Sequence, residues 1–412
     1  MPKRKSICIF ALSVIARDGR VLRQIEYLAP HYDLTVVGYG APPAPWEGQA
    51  NVRWVQLPQP LSLASAAHGL SAGQVRKLRP AAAWELRRLA FRSSLLLGQL
   101  WPSAYATGYA LRWHGIRELD ELLAVKHDAY HANDWDTLLL AAKAAQRHHA
   151  RLVVDLHEYA PLQFENQSNW WLFEPMIRAM LRRYAVGADA SLTVTPEIAE
   201  RYQREFGLEP LVVLNAPDTV ALPPKTFDPQ NIRLVHHGST MAARKPEWMI
   251  ETIARCDARY TLHLMLLPAP YVAELQKLAE QLAPGRVFFH PPVPPAAIVP
   301  TIAQFDVGFN LIAPTNYNYL MSLPNKFFES IAAGLAVCIG PSPAMANLVK
   351  QYGFGCIAPS FAPEDIAATL NQVSTEQWLA MQQAARTTAQ HLNAATEMAK
   401  LVQLYARLLE DQ

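Results

Sequence analysis

Short apolar runs alternate with stretches of helical periodicity from the start of the chain. Residues 6–15 predict a strand, apolar side chains recur at helical spacing over residues 21–28, and residues 34–38 predict a second strand. A strand, a helix and a strand within about 35 residues form a βαβ unit, and such a unit belongs to a parallel sheet.

The same alternation continues through two series of elements. Further strands are predicted at 53–57, 129–135, 152–156 and 186–196 in the first series, and at 232–236, 261–267, 286–290, 305–312 and 335–339 in the second. A proline-rich stretch between the two series is typical of a linker. We therefore predict an α/β fold of two Rossmann-like domains facing across a cleft, at 1–220 and 221–390, followed by a C-terminal helix in 391–412.

Charged side chains stand at the start of one predicted helix. Asn325, Lys326 and Glu329 fall in its first turns, apolar side chains at helical spacing continue to Gly334, and a buried strand follows. The exposed N–H groups and the positive dipole end of a helix attract anions. On spacing alone, solvated charges on an amphipathic helix are the simpler interpretation.

A second pattern that suits an anion opens the second series. Gly238 and Ser239 follow the 232–236 strand, and Arg244 and Lys245 stand before the next helix. A small-residue loop and paired cations before a helix suit a diphosphate, because glycine lets the backbone approach and the cations neutralise charge. An ordinary glycine turn is the alternative.

Titratable side chains crowd the end of the 152–156 strand. Asp155, His157 and Glu158 lie there, at the carboxyl end where parallel sheets bind ligands. Asp155 and His157 are our catalytic candidates for shaping a reacting centre, with Glu158 as support. The alternative is a structural histidine.

An Asp-x-Asp pair lies upstream of these residues. Asp134 and Asp136 match the spacing of a metal-binding pair, but either one also fits the N-cap of a helix over 137–147. We favour the cap and predict no metal site.

Composition narrows the class of protein. A hydrophobic content of 51% indicates large buried cores. The four cysteines show no C-x-x-C spacing, which argues against a disulfide framework or a zinc site and favours a cytoplasmic protein. We find no transmembrane run and no signal peptide. The net charge of +2 argues against nucleic acid as a partner.

Residues 76–92 depart from this balance, with six basic residues and one acidic residue. They belong to a helical, basic insertion predicted at about 60–125. Aromatic side chains are interleaved with the basic ones through residue 113. Two interpretations stay open: solvated helix faces, or a peripheral contact of residues 76–113 with an anionic membrane, at about 1 kcal/mol per basic residue.

Three segments resemble a known family in the same order. Residues 323–337, Leu-Pro-Asn-Lys-Phe-Phe-Glu and then Ala-Ala-Gly-Leu-Ala-Val, are similar to the nucleotide-sugar-binding segment of GT-B glycosyltransferases, of the retaining group that includes family 4. Val-Val-Asp-Leu-His-Glu at 153–158 and Asp-Gly-Arg at 18–20 resemble acceptor-side segments of that family. The resemblance spans nearly the whole chain except roughly 60–125.

This resemblance implies a hexosyltransferase that uses a nucleoside-diphosphate-sugar (UDP or GDP) as substrate, with no cofactor and no metal. Glu329 would bind the donor ribose, and the helix start before it would face the diphosphate. The residues implied on the acceptor side are Asp18, Gly19, Arg20 and His131. The acceptor would be a glycan, a lipid-linked sugar or a small molecule in bacterial polysaccharide or glycoconjugate synthesis, in the cytoplasm or at the inner face of the membrane. The last helix would cross back to the first domain.

Two departures from the family pattern keep alternatives open. Met321 stands where the commoner pattern has a glutamate near the donor sugar, and Pro268 stands near where relatives have Gly-x-Gly. The alternatives are a catalytically degenerate scaffold or sugar-nucleotide sensor, or a sugar-nucleotide epimerase of the same fold. Fold alone does not separate them.

Overall fold

The computed structural model describes residues 4–57, 89–113, 123–163, 165–222 and 225–410. The chain divides into two compact units. The first holds residues up to 193, residues 199–211 and residues from 401 onward, and the second holds residues 194–198 and 212–400.

The first unit is built on a seven-stranded sheet in the order β3-β2-β1-β4-β5-β6-β7, whose pairs from β3 to β6 are parallel. The strands are β1 (Ser6–Val14), β2 (Asp33–Tyr39), β3 (Val52–Leu57), β4 (Ala129–Asn133), β5 (Arg151–Leu156), β6 (Ala190–Thr193) and β7 (Leu211–Val212). The helices of this part of the chain are Gly19–Leu28, Ser103–Trp113, Trp135–His148, Trp170–Met180 and Pro196–Phe206, and residues 89–97 are also helical.

The second unit is built on a six-stranded parallel sheet in the order β10-β9-β8-β11-β12-β13. The strands are β8 (Ile232–Gly238), β9 (Tyr260–Leu266), β10 (Val287–His290), β11 (Val307–Asn310), β12 (Ala336–Ile339) and β13 (Gly355–Ile357). The helices of this part of the chain are Glu247–Arg255, Tyr271–Leu282, Ile298–Ile302, Tyr317–Leu320, Asn325–Ala332, Pro343–Tyr352, Pro363–Gln372, Thr375–Ala389 and Ala394–Glu410. The last of these helices has residues in both units.

Each sheet places the first strand of its series beside the fourth, as in a Rossmann fold. The chain therefore reverses direction across the sheet between β1 and β4, and again between β8 and β11. Ligands of open α/β sheets bind beside such switch points, at the carboxyl ends of the strands. We therefore expect a ligand-binding site among the segments that follow β1, β4, β8 and β11.

The apolar runs became strands because both faces of each sheet are covered. On β12, Ala336 and Cys338 join the core on one face, while Val337 and Ile339 join the core on the other. Gly334, at φ 68°, ends the Asn325–Ala332 helix just before this strand, as the sequence pattern predicts.

The predicted α/β class and the predicted strands are confirmed, with bounds that shift by a few residues. The basic insertion falls largely on 58–88 and 114–122, outside the described residues, while the described stretches 89–97 and 103–113 are helical. Among the described residues, no helix has the length and apolar character needed to cross a bilayer. All four cysteines are described, and each is a buried free thiol.

Candidate functional site

The end of β8 is open toward one buried lysine. Gly238 has a φ of 116°, a conformation that side chains disfavour. A Cβ atom added there would lie 3.4 Å from Nζ of Lys326. Ser239 follows in the same loop and is half-buried. The missing side chain of Gly238 therefore leaves room in front of the lysine nitrogen.

Lys326 is held from behind by a histidine. It lies in the first turn of the Asn325–Ala332 helix with 7% of its side chain exposed, and its Nζ is 3.0 Å from Nε2 of His236. Nδ1 of His236 is 2.8 Å from the carbonyl oxygen of Phe309. Because a carbonyl oxygen only accepts, Nδ1 carries the proton and Nε2 accepts from Lys326.

The protonation states of this pair follow from its burial. Burial first, and then the nearby guanidinium of Arg244, lowers the pKa of Lys326 to about 7, although Glu329 acts in the opposite direction. Burial and then Lys326 hold the pKa of His236 well below its ordinary value, so this histidine is neutral. The lysine therefore stands close to its titration point at neutral pH.

The two predicted cations after β8 differ in their surroundings. The Arg244 guanidinium carbon lies 5.2 Å from the ring centroid of Tyr319, and Nε of Arg244 is buried with no hydrogen-bond partner among the described residues. Lys245 is 46% exposed and pairs with Glu247 at 3.4 Å. The structure thus brings Arg244 toward Lys326, while Lys245 is engaged elsewhere.

Glu329 lies beside a second histidine of β8. Oε2 of Glu329 is 3.3 Å from Nε2 of His237. Burial, followed by the charge of Lys326, lowers the pKa of His237 to about 3, so the ring is neutral and meets the carboxylate as a dipole. At the start of the same helix, exposed Asn325 accepts a hydrogen bond from Asn215. Pro324 occupies the N-cap position of this helix and provides no side-chain cap.

In the first unit, a fully buried carboxylate forms the centre of a charged cluster. Asp155, with 0% exposure, accepts hydrogen bonds from Nε and Nη2 of Arg20 at 2.7 and 2.8 Å, and from Gln24 at 2.6 Å. Burial opposes its ionisation, but Arg20 and then His157 outweigh burial and hold the pKa of Asp155 well below its ordinary value. The predicted residues Arg20 and Asp155, 135 positions apart, are therefore direct partners.

His157 lies between two carboxylates. Its Nδ1 is 3.3 Å from Asp134 and its Nε2 is 3.4 Å from Asp155. Burial favours the neutral ring, but Asp134 and then Asp155 raise the pKa of His157 well above its ordinary value. The ring is therefore an imidazolium at neutral pH, which suits a fixed positive charge better than a general base.

Asp134 occupies the N-cap position that was predicted for Asp134 or Asp136, but its side chain does not cap the helix. The helix begins earlier, at Trp135, so Asp136 lies within its first turn, and the side chain of Asp134 makes no capping bond within the described chain. The Asp134 carboxylate is instead engaged by His157, whose backbone N–H donates to Oδ1 at 3.1 Å. The backbone of Asp134, at φ 64° and ψ 165°, is in a region that is nearly restricted to glycine.

His131 lies behind this cluster. It is fully buried, its Nδ1 is 2.8 Å from the hydroxyl of Tyr405, and its Nε2 is 3.9 Å from Asp155. Burial lowers the pKa of His131 to about 4, so the ring is neutral. Within the described residues, Nε2 of His131 makes no hydrogen bond, so the ring lies beside Asp155 without bonding to it.

The other predicted residues of the first unit shape the turns around the cluster. Asp18 caps the Gly19–Leu28 helix by accepting from the N–H of Val21 at 3.2 Å, so that Arg20 enters the first turn and points inward. The backbone carbonyl of Glu158 accepts from Tyr202 at 2.7 Å.

Within the residues that the structure describes, no group of three His, Cys, Asp or Glu side chains could hold a metal ion.

Known glycosyltransferases resemble this chain in sequence over one segment and in fold over nearly its whole length. Residues 96–219 match the family model of Glycosyltransferase Family 4. HepE of Anabaena, solved with UDP-glucose, is 16% identical with a TM-score of 0.67, over 98% of this chain and 99% of that chain. Sucrose-phosphate synthase of Thermosynechococcus elongatus is 12% identical with a TM-score of 0.69, over 99% and 100%. The chain has the GT-B fold.

The predicted resemblance to GT-B glycosyltransferases is therefore confirmed, by the fold and by the family 4 match over β4, β5 and β6. A third GT-B structure, WaaG, described as a glycosyltransferase involved in lipopolysaccharide biosynthesis, is 13% identical with a TM-score of 0.57, over 96% and 98%. Comparison with curated protein sequences gave no match.

Sequence reasoning missed four residues of these clusters as site residues: Gln24, His236, His237 and Tyr319. The histidines stand in β8, in a run that reads only as a strand with a polar end. Their partners, Phe309, Lys326 and Glu329, lie more than 70 positions away. Only the tertiary structure identifies these contacts.

Proposed function

We propose that this protein transfers a sugar from a nucleoside-diphosphate-sugar to an acceptor, and that the donor binds on the second unit. The observation that supports this proposal is the buried Lys326, placed at a helix start and facing the space that Gly238 leaves open. A buried amine in front of a glycine loop and a helix N-terminus is a receptor for an anion such as a diphosphate.

The donor contacts follow from this placement. The diphosphate would lie against Gly238, Ser239 and the first turn that begins at Asn325, with Lys326 and Arg244 as its cations. These cations would stabilise the charge that develops on the departing diphosphate, which is typically worth a few kcal/mol per well-placed donor. Lys245 would contribute as an exposed cation at the rim.

We propose that Glu329 binds the donor ribose. Its carboxylate can accept hydrogen bonds from two sugar hydroxyls, and the neutral ring of His237 lies 3.3 Å from one of its oxygens. UDP-sugars are the first donor class to examine, because HepE was solved with UDP and with UDP-glucose. GDP-sugars remain the second. We propose a hexosyl donor and retention at the anomeric carbon, with no metal ion required.

We propose that the acceptor binds at the cluster of the first unit. The acceptor would be a glycan, a lipid-linked sugar or a small molecule, in bacterial polysaccharide or glycoconjugate synthesis in the cytoplasm. Here His157 provides a fixed imidazolium that Asp155 and Asp134 hold, Arg20 fixes Asp155, and Glu158 supports the turn. Asp18, Gly19 and His131 would not contact the acceptor themselves. They would help to position Arg20 and Asp155.

A peripheral membrane contact remains part of the proposal. The exposed apolar side chains of the described insertion are Leu89, Leu96, Leu97, Leu100 and Trp101. In the sequence, these side chains lie within or shortly after the basic stretch 76–92. Exposed apolar side chains and basic residues together suit an anionic lipid surface. We expect the protein to sediment with anionic liposomes at low salt and less so at high salt, and the doubly substituted Leu100→Ser/Trp101→Ser variant to bind less. Absence from the pellet at low salt would remove this contact.

A catalytically degenerate scaffold or sugar-nucleotide sensor is the second candidate, because Met321 and Pro268 depart from the family pattern. It predicts that the nucleotide binds but that no sugar is transferred. An epimerase would interconvert donor sugars without an acceptor. Product analysis by mass spectrometry, with and without candidate acceptors, separates the three.

The test of the donor site is a thermal-shift panel of UDP, GDP, CDP and their sugars. A nucleotide at about 100 times its Kd should stabilise the wild type by about 2.7 kcal/mol. Glu329→Ala should lose this shift, and Glu280→Ala, an exposed glutamate of the same unit, should keep it. A shift for none of the nucleotides would contradict the proposed donor site.

A further inference from the structure

We propose that His236 is a positioning residue: it holds the Lys326 nitrogen against the opening left by Gly238, so that binding of the donor's diphosphate is accompanied by uptake of one proton at that nitrogen. This inference rests on the proposed donor site and specifies how its central cation works.

The geometry gives the nitrogen of Lys326 one fixed direction. One N–H donates to Nε2 of His236 at 3.0 Å, and His236 is fixed in turn by its bond to the carbonyl of Phe309. The remaining valences of the nitrogen are left for the opening in front of Gly238, where a Cβ atom would come within 3.4 Å. A ligand that enters this opening therefore meets the nitrogen directly.

The charges around the nitrogen disfavour its protonation before a ligand arrives. Arg244 is the nearby cation, His236 and His237 are neutral, and Glu329 is the acidic group that faces the lysine. Burial adds to the effect of Arg244, and together they lower the pKa of Lys326 to about 7. A diphosphate brings negative charge to the same place, which favours the ammonium form.

The proton balance is simple. Without a ligand, part of the Lys326 population is the neutral amine. On binding, the amine takes one proton from solvent, keeps one N–H on His236 and directs the others to phosphoryl oxygens. Above about pH 7, binding then requires the uptake of this proton, so the apparent Kd should rise by about fivefold between about pH 7 and about pH 8.

The test is calorimetric titration of the full-length protein with UDP-glucose at about pH 8, in two buffers that differ in ionisation enthalpy. We expect uptake of most of one proton per UDP-glucose bound. Lys326→Arg, which is always charged, should bind UDP-glucose with no proton uptake and with a Kd that is flat over this pH range. His263→Asn, at a histidine of β9 outside the cluster, should behave as the wild type.

Two substitutions of His236 separate positioning from a merely structural role. Gln places an acceptor near the position of Nε2 and should keep the bond to Lys326, whereas Asn reaches only the position of Nδ1. His236→Asn should therefore weaken UDP-glucose binding by about tenfold and reduce the proton number, and His236→Gln should recover most of both.

The outcomes are distinct. Wild-type binding with no proton uptake overturns this inference and leaves the donor site standing. Equal proton numbers and affinities for His236→Asn and the wild type overturn the role of His236. If the wild type binds none of UDP-glucose, UDP or GDP, the proposed donor site is wrong, and this inference falls with it. Should His236→Asn fail to fold, Lys326→Arg alone decides the proton uptake.

Discussion

The charged clusters of the two units follow opposite rules. In the first unit, Arg20 and His157 face Asp155 and Asp134, so each positive charge has a negative partner. In the second unit, buried Lys326 donates to a neutral histidine, and Arg244 adds a second positive charge nearby. A cluster with balanced charges is stable without a ligand and can orient a bound substrate. A cluster with excess positive charge is stabilised by an anionic ligand, and we therefore place the diphosphate on the second unit.

Removing a charge from the balanced cluster should have the largest effect. Asp155→Ala leaves Arg20 and His157 buried without their common partner, and we expect a loss of about 3–5 kcal/mol in the free energy of unfolding, measured by urea denaturation. Asp257→Ala should cost less than about 1 kcal/mol, because Asp257 is 54% exposed and 3.8 Å from Arg259. Equal losses for the two variants would show that the cluster is not the balanced centre described here.

The unbalanced cluster should respond in the opposite way. Lys326→Met removes a buried cation that forms no ion pair with a carboxylate of the described residues, so the stability of the free protein should stay the same or rise. Nucleotide affinity should fall by roughly 10- to 150-fold, the effect of losing one charge-assisted hydrogen bond of about 1.5–3 kcal/mol. Lys245→Met, at the exposed and paired neighbour, should change the affinity less than about fivefold. Calorimetry and urea denaturation on the same preparations provide both quantities.

The pH dependence of stability distinguishes the clusters further. Lys326 has a folded pKa of about 7, below its unfolded value, so above pH 7 the unfolded chain binds more protons than the folded one. Stability should therefore rise with pH above about 7 in the wild type relative to Lys326→Met, by up to about 1.4 kcal/mol per pH unit. A difference that is flat with pH would mean that Lys326 titrates normally.

The signs in the first unit differ. The pKa of Asp155 is lowered, so its contribution is present above the unfolded value and is lost as the pH falls through the folded value. The pKa of His157 is raised, so its contribution is complete below the unfolded value and is lost as the pH rises through the folded value. Between the unfolded pKa of Asp155 and the unfolded pKa of His157, the stability that this cluster contributes should therefore be constant.

The smallest effect should come from the strained residue of the balanced cluster. Asp134→Gly loses the carboxylate but relieves the backbone at φ 64°, and we expect a net change within about 1 kcal/mol. Asp134→Ala loses the carboxylate and keeps the strain, and should be less stable than the glycine variant by about 1–3 kcal/mol. The pKa of His157, followed by NMR, should fall in both. Equal stability of the two variants would argue against strain at this position.

The sequence pattern predicts the strands well because both faces of each sheet are buried, which makes the strands near-continuous apolar runs such as 335–339. It also suggests Gly238, Lys326 and Glu329 as candidate binding residues, since a glycine loop and first-turn charges are local features. It does not predict that Lys326 is buried, because a lysine in the first turn of a helix is usually solvated. The buried nitrogen is bonded to His236, 90 positions away.

The error at Asp134 has the same origin. An aspartate just before a helix normally caps it, and local reasoning stops there. Here the carboxylate is held by His157, 23 positions further along the chain, at the end of the next strand. Contacts that cross the sheet decide which polar side chains leave their local role, and a single sequence does not contain them.

Hydrogen–deuterium exchange of the protein with and without UDP-glucose shows which unit binds the donor, because ligand contact raises the protection of backbone amides locally. We expect new protection in peptides that cover 236–245 and 325–332, and little change in those that cover 129–158. The protection should be weaker in Lys326→Met at the same ligand concentration. Protection centred on 129–158, or equal protection in the wild type and Lys326→Met, would contradict the assignment of the donor to the unbalanced cluster.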